Sequence, residues 1–126
     1  MLVLLSAICG ALITFHLSSN KKCDSVRASS GSSLLFYIAV WWLCGAVEAN
    51  LYGAVFFGGS FVGMSSPVRL SITGVVGAST LFAGLFVIVL PHLDGVGGAL
   101  GVCAFTCVSI VSGLSYCLNY FLKRDS

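Results

Sequence analysis

The chain has 126 residues, of which 58% are hydrophobic and 8% are charged, and its formal net charge is +2. Soluble domains carry about 25% charged residues, so this composition excludes a water-soluble globule and indicates a single membrane domain over residues 1–126, with the lipid bilayer as its first partner. The few charges are scattered, without a basic stripe or an interleaved aromatic patch, which excludes nucleic acid as a partner.

The first apolar segment covers about residues 2–18 and predicts a transmembrane helix. It lacks the positively charged start and the small-residue cleavage site of a signal peptide, so we expect the protein to retain it. A polar, serine-rich loop follows over 18–33 and carries Lys21, Lys22 and Arg27. This loop separates the first predicted helix from a much longer apolar stretch.

The longest apolar stretch extends over residues 34–64 and contains a single charge, Glu48. A continuous helix of this length would be roughly 46 Å long, whereas the hydrocarbon core of a bilayer is about 30 Å thick. We expect one helix over about 34–62 that crosses the membrane and continues beyond it. A break at Gly58 and Gly59 is the alternative.

Two further apolar segments predict transmembrane helices over about 69–90 and 96–122, with Pro91 ending the first of them. The predicted fold is therefore all-α: an integral membrane protein with four transmembrane helices and both termini on the same side of the membrane. The predicted helix ends carry an error of about two to four residues. Lysines and arginines are divided equally between the two predicted sides, so charge does not set the orientation.

Small residues recur every four positions in the predicted helices, a spacing that indicates close packing between membrane helices. The predicted packing positions within the four-helix unit are Gly45, Ala49, Gly53, Gly97 and Gly101. A bulky face of the second predicted helix is expected to contact a different polypeptide rather than lipid. Its members are Phe36, Val40, Leu43, Val47 and Leu51.

Glu48 is the sharpest functional signal, because a carboxylate inside a membrane helix costs on the order of 3 kcal/mol. One interpretation is a proton or cation site, since intramembrane acids mark such pathways. The other is a neutral or hydrogen-bonded acid that locks helices together, with Asn50, Tyr52 or a partner chain. Both interpretations predict an intramembrane polar site at Glu48, Asn50 and Tyr52.

The two histidines, His16 and His92, fall at the ends of the first and third predicted helices and hence at the same membrane face. Such a pair could ligate a haem between helices, but interfacial hydrogen bonding explains it equally, and we predict no haem or other cofactor. Five of the six cysteines lie in apolar segments, without the C-x-x-C spacing of a metal site. We therefore predict buried packing roles for them and no metal site.

These residues offer no nucleophile constellation and no phosphate-binding loop, so we predict no enzyme activity. The tiny loops and the over-long second helix favour a non-catalytic accessory subunit of a larger multi-subunit membrane complex, with other membrane protein subunits as partners. Energy-converting membranes hold many small hydrophobic subunits, which suggests a respiratory chain complex of the mitochondrial inner membrane. The alternative is a small homo-oligomeric transporter, or an ion or proton channel, that uses Glu48.

Overall fold

The computed structural model describes residues 1–19, 24–65, 70–89, 92 and 98–124. Within these residues the chain forms five α-helices and no strand, so the predicted all-α class is confirmed. In chain order the helices are α1 (Leu2–Ser19), α2 (Ser25–Cys44), α3 (Ala46–Gly63), α4 (Ile72–Val89) and α5 (Ala99–Arg124).

Three of these helices, α1, α4 and α5, are long and apolar enough to cross a membrane, which is compatible with a membrane protein. They correspond to the helices predicted over 2–18, 69–90 and 96–122. The ends predicted at 69, 90 and 96 lie outside the described residues. The predicted count of four transmembrane helices is not confirmed.

The single helix predicted over 34–62 is wrong, because the helix breaks at Gly45. This residue has φ 104° and ψ 176°, a region that glycine adopts and that residues with a Cβ strongly disfavour. Its N–H donates to the Trp41 carbonyl at 3.2 Å, and its carbonyl accepts the Ala49 N–H at 3.1 Å. One residue thus ends α2 and begins α3, with both helix ends hydrogen-bonded.

Helices α2 and α3 fold back on each other as an antiparallel hairpin. Close to the break, the Tyr37 hydroxyl donates to Asn50 Oδ1 at 3.1 Å. Farther from the break, the rings of Phe36 and Phe56 stack with their centroids 4.2 Å apart. Because residues nearer the start of α2 meet residues nearer the end of α3, the two helices run in opposite directions.

A buried serine pair joins the far end of this hairpin. Ser29 and Ser60 are 1% and 0% exposed, and their Oγ atoms lie 2.6 Å apart. Ser60 donates its hydroxyl hydrogen to the Phe57 carbonyl at 2.6 Å, so Ser29 is the donor between the two serines. Both hydroxyls therefore have a partner, as buried polar groups require.

Helix α1 packs against α3 in the same direction, through small residues on both helices. A Cβ atom added at Gly59 would meet the Ala7 carbonyl, and one added at Gly63 would meet the Ala11 carbonyl. Because the contacts advance by four residues on both helices, the pair is parallel, and its close backbone approach is typical of small-xxx-small faces. Gly59 and its neighbour Gly58 lie inside α3, so the alternative break at these two glycines is also wrong.

The core is centred on α3, half of which is buried. Helix α3 buries nine of its 18 residues, whereas the 26-residue α5 buries only Ala104 and Cys107. Along α5, every position of 113–124 is exposed. The large side chains that are almost fully buried come from α3 and α4 and are Val55, Phe56, Val62, Val75 and Phe82.

Candidate functional site

The hairpin tip, defined here as residues 41–48, holds the only acidic residue of the predicted site. Glu48 lies in the first turn of α3, three residues after Gly45, and it is exposed. Its Oε2 would be 3.7 Å from a Cβ at Gly45, so the carboxylate turns back toward the break. Helix N-termini stabilise a carboxylate by about 0.3–1 kcal/mol, which gives Glu48 a local structural role. Its predicted position deep in a membrane helix depended on the continuous helix over 34–62.

The hairpin tip lies at the same end of the bundle as the start of α1. Leu2 lines a cavity of about 280 Å³ together with Cys44 and Tyr52, which flank the break. Trp41 and Trp42 are 54% and 84% exposed. Exposed tryptophans at a helix end are typical of the aromatic belt at a membrane surface.

The other two residues of the predicted polar site have separate surroundings. Tyr52 follows Glu48 by one turn, so the two share a face of α3, and its half-buried side chain lines the cavity beside α1. Asn50 lies on another face and accepts the Tyr37 hydroxyl, so its amide ties α3 to α2. The three residues therefore form no single cluster with Glu48 at its centre.

The five predicted packing positions have different environments. Gly45 lies at the break, and Ala49 is fully buried in α3. Gly53 packs against the ring of Tyr37 in α2, since a Cβ added at Gly53 would lie 2.8 Å from that ring. A Cβ at Gly101 would have nothing within 4 Å, so the close approach predicted there is absent. Gly97 lies outside the described residues.

The bulky face predicted along 34–62 is divided between two helices. Phe36 stacks inside the hairpin and Val40 lines the cavity beside α1. Leu43 and Val47, on opposite sides of the break, are 81% and 79% exposed. These side chains therefore form no continuous surface, and the contact of this face with another polypeptide stays a prediction.

The predicted ligand residues are placed as follows. His16 lies in the last turn of α1, and both His16 and His92 are exposed. In the described part of the chain, no three His, Cys, Asp or Glu side chains group closely enough to hold a metal ion. Cys107 is fully buried one turn after Cys103, in a core cluster to which α1, α3, α4 and α5 contribute. The buried packing role predicted for five cysteines is wrong for three of them, which are exposed: Cys9, Cys44 and Cys117. The predicted absence of haem stays a prediction.

A stripe of small and hydroxyl residues follows the exposed side of α4, and we call it the α4 outer face. Its residues are Thr73, Gly77, Thr80 and Gly84, which helical periodicity places on one side and which are all exposed. A Cβ added at Gly77 or Gly84 would have nothing within 4 Å. The Thr80 hydroxyl donates to the Val76 carbonyl at 2.8 Å, so this polar group is satisfied within its own helix. The face is thus smooth, nearly apolar and free of neighbours among the described residues.

No protein-family model, curated protein or solved structure matches the chain. The hairpin tip has a local structural explanation, whereas the α4 outer face has none within the described bundle.

Sequence reasoning missed the break, although a signal for it was present. Glu48 stands three residues after Gly45, which matches the spacing of a helix-starting cap with a carboxylate at the third helical position. It also missed that Gly59 and Gly63 would meet α1, although their spacing is typical of a close helix contact. In both cases the pattern was masked by the assumption of one long helix.

Proposed function

We propose that this chain is a non-catalytic subunit of a membrane assembly, and that its α4 outer face associates with transmembrane helices outside its own bundle. The observation that carries the proposal is the open space at Gly77 and Gly84, on an apolar helix of transmembrane length. Glycine inside a helix costs roughly 1 kcal/mol relative to alanine and presents no side chain to lipid. Small and hydroxyl residues on one face are typical of helix–helix contact in membranes.

The contact between α1 and α3 supports this proposal, because it uses the same chemistry within the chain. There, Gly59 and Gly63 allow α1 to approach until only backbone separates the helices at Ala7 and Ala11. Lipid tails are as apolar as leucine, so association in a membrane depends on close packing rather than on hydrophobicity. The partner of the α4 outer face is therefore expected to be another transmembrane helix.

We further propose that all five helices lie across the membrane, so that Met1 and Arg124 face opposite sides. The antiparallel arrangement of α2 and α3, with α1 parallel to α3, supports a hairpin that occupies the same depth as α1. The 20 residues of α2 and the 18 of α3 would reach about 30 and 27 Å, close to the thickness of the hydrocarbon core. Glu48 would then lie at the membrane surface, in the hairpin tip. This topology replaces four crossings with both termini on one side.

Placement in a respiratory chain complex of the mitochondrial inner membrane stays a prediction from the sequence, and no residue described above supports it. The alternative function, a homo-oligomeric transporter or channel around Glu48, would use the α4 outer face between copies of the chain. The experiment that tests the proposal therefore has to identify the partner as well as the face.

The test is purification of the full chain from its native membrane in mild detergent, followed by native mass spectrometry of the particle. The double variant Gly77→Leu/Gly84→Leu should lose its partner chains by about tenfold or more, since a loss of ~1.4 kcal/mol in contact energy has that effect. Gly113→Leu is the matched control: a Cβ at Gly113 of α5 also meets nothing within 4 Å. The control should keep its partners.

Three results are informative. Loss of a different polypeptide in the double variant alone supports the subunit proposal. A particle that contains only copies of this chain, conducts ions and is dispersed by the double variant favours the homo-oligomeric alternative. Partner chains retained equally by the double variant and the control contradict any role of the α4 outer face.

A further inference from the structure

A groove lies between α1 and α2, with α3 as its floor. Its larger part is a cavity of about 520 Å³, and the apolar residues that line it include Ile13, Leu17, Leu35, Phe36 and Phe56. The cavity of about 280 Å³ beside the hairpin tip adjoins it, because Phe36 lines both. We call the two cavities together the α1–α2 groove.

Small residues keep the wider end of the α1–α2 groove open. Ala28 and Gly31 line this end from α2, and a Cβ at Gly31 would have nothing within 4 Å. Ser32 also lines it, but its hydroxyl donates to the Ala28 carbonyl at 2.7 Å and is therefore already satisfied. The walls of the groove thus present mainly hydrocarbon to whatever occupies it.

Among the residues that the structure describes, Arg27 is the one charged residue that lines the α1–α2 groove. Arg27 is exposed and lies at the same end of the groove as Leu17, near the C-terminus of α1. Asp24, the N-cap residue of α2, stands three residues before Arg27 and does not line the groove. The groove therefore combines a long apolar body with one cationic end, which is the complement of an amphiphile with a negatively charged head.

The length and the apolar lining of the groove suit an acyl chain. Leu2 and Leu17, which line its two ends, are separated by about 22 Å along α1, more than the ~15 Å depth of one bilayer leaflet. An extended acyl chain can therefore lie along the groove for the full depth of a leaflet.

We propose that the α1–α2 groove is a binding site for an anionic phospholipid, whose phosphate contacts Arg27 and one of whose acyl chains lies along Leu17, Ile13 and Phe36. Guanidinium groups suit phosphate because their N–H donors match its oxygens, and basic pockets between membrane helices bind acidic headgroups. The site depends on the membrane placement proposed above but not on the α4 outer face, so the two proposals fail independently.

The first test compares lipid binding to the full chain in nanodiscs that contain phosphatidylglycerol and phosphatidylcholine with identical acyl chains, with the retained lipids counted by native mass spectrometry. The wild-type chain should prefer phosphatidylglycerol by about fivefold, the size expected for one basic residue at an acidic membrane surface. Arg27→Gln should remove the preference. Arg124→Gln, which removes an equally exposed charge from the end of α5, should keep it.

The second test fills the groove without changing its charge. Gly31→Leu should reduce the retention of both lipids, whereas Gly113→Leu, on the exposed part of α5 where a Cβ also meets nothing within 4 Å, should leave it unchanged. Equal retention of the two lipids by the wild-type chain, or a preference that survives Arg27→Gln, overturns the proposal. Because Arg27 is exposed, its replacement tests the headgroup site even if Gly31→Leu fails to fold.

Discussion

Two stripes of small residues in this chain have opposite surroundings. On α3, Gly59 and Gly63 face the backbone of α1 so closely that a single added Cβ would meet a carbonyl group. On the α4 outer face, Gly77 and Gly84 face open space. The two stripes are alike in the sequence, and only the fold separates a contact made within the chain from a surface that the chain leaves open.

Among the substitutions that test this comparison, we expect Gly59→Leu to have the largest effect on stability. The new side chain would have to displace the Ala7 backbone, and the free energy of unfolding should fall by about 3 kcal/mol or more. The matched variant Gly77→Leu should instead raise it by about 0.5–1 kcal/mol, because its side chain points into open space and leucine is a better helix former than glycine. Unfolding of the purified chain in mixed micelles, followed by circular dichroism, measures both.

An equal loss of stability in the two variants would contradict the comparison, because it would mean that α4 is packed as tightly as α3. A neutral Gly59→Leu would mean that α1 does not lie against α3. The second outcome would also remove the parallel α1–α3 pair on which the proposed topology depends.

The next largest effect on stability is expected at Gly45, where the break between α2 and α3 allows α3 to reach α1. Gly45→Ala should lower the free energy of unfolding by about 1–3 kcal/mol, because alanine is strained at φ 104°. Gly31→Ala, inside α2 and in open space, should instead raise it by about 0.5–1 kcal/mol. The same micelle unfolding experiment compares the two substitutions. Stabilisation by both would indicate that the helix continues through Gly45.

The smallest effect concerns the serine pair that holds α2 against α3. Ser29→Ala and Ser60→Ala should each cost about 1 kcal/mol, and the double variant should reveal a coupling energy of about 0.6 kcal/mol, as is usual for hydrogen bonds between membrane helices. Ser30→Ala is the control, since Ser30 is exposed and bonds only within its own helix. A coupling energy of zero would show that the two hydroxyls do not interact.

The class of the fold followed from the sequence because it depends on composition alone. Apolar segments of about 20 residues can only be helices in a membrane, and α1, α4 and α5 were found near their predicted positions. The length of the stretch 34–64 was recognised as too great for one crossing. Its break was nevertheless misplaced, because a positive φ at Gly45 leaves no trace in hydrophobicity.

The candidate surfaces could be predicted less well from the sequence, because they depend on which helices pack against each other. The sequence identified small residues as packing positions but could not assign them partners, so Gly101 was expected in a contact and is open. Glu48 was predicted to be functional because it is an isolated acid in an apolar stretch. The break instead places it in the first turn of α3, where a carboxylate stabilises the helix. The α1–α2 groove could not be predicted, since Arg27 had been assigned to a polar loop rather than to a helix.

In the proposed topology, α2 and α3 cross the membrane as a hairpin, so that the chain makes five crossings. The most direct test is labelling of single cysteines with a membrane-impermeant maleimide, in a background where the native cysteines, Cys23 included, are replaced by serine. With five crossings, Asp24→Cys and Lys123→Cys should be labelled from one side of the membrane and Ala46→Cys from the other; all three positions are exposed. Labelling of Ala46→Cys from the same side as Asp24→Cys, or of Lys123→Cys from the side opposite to Asp24→Cys, would contradict it.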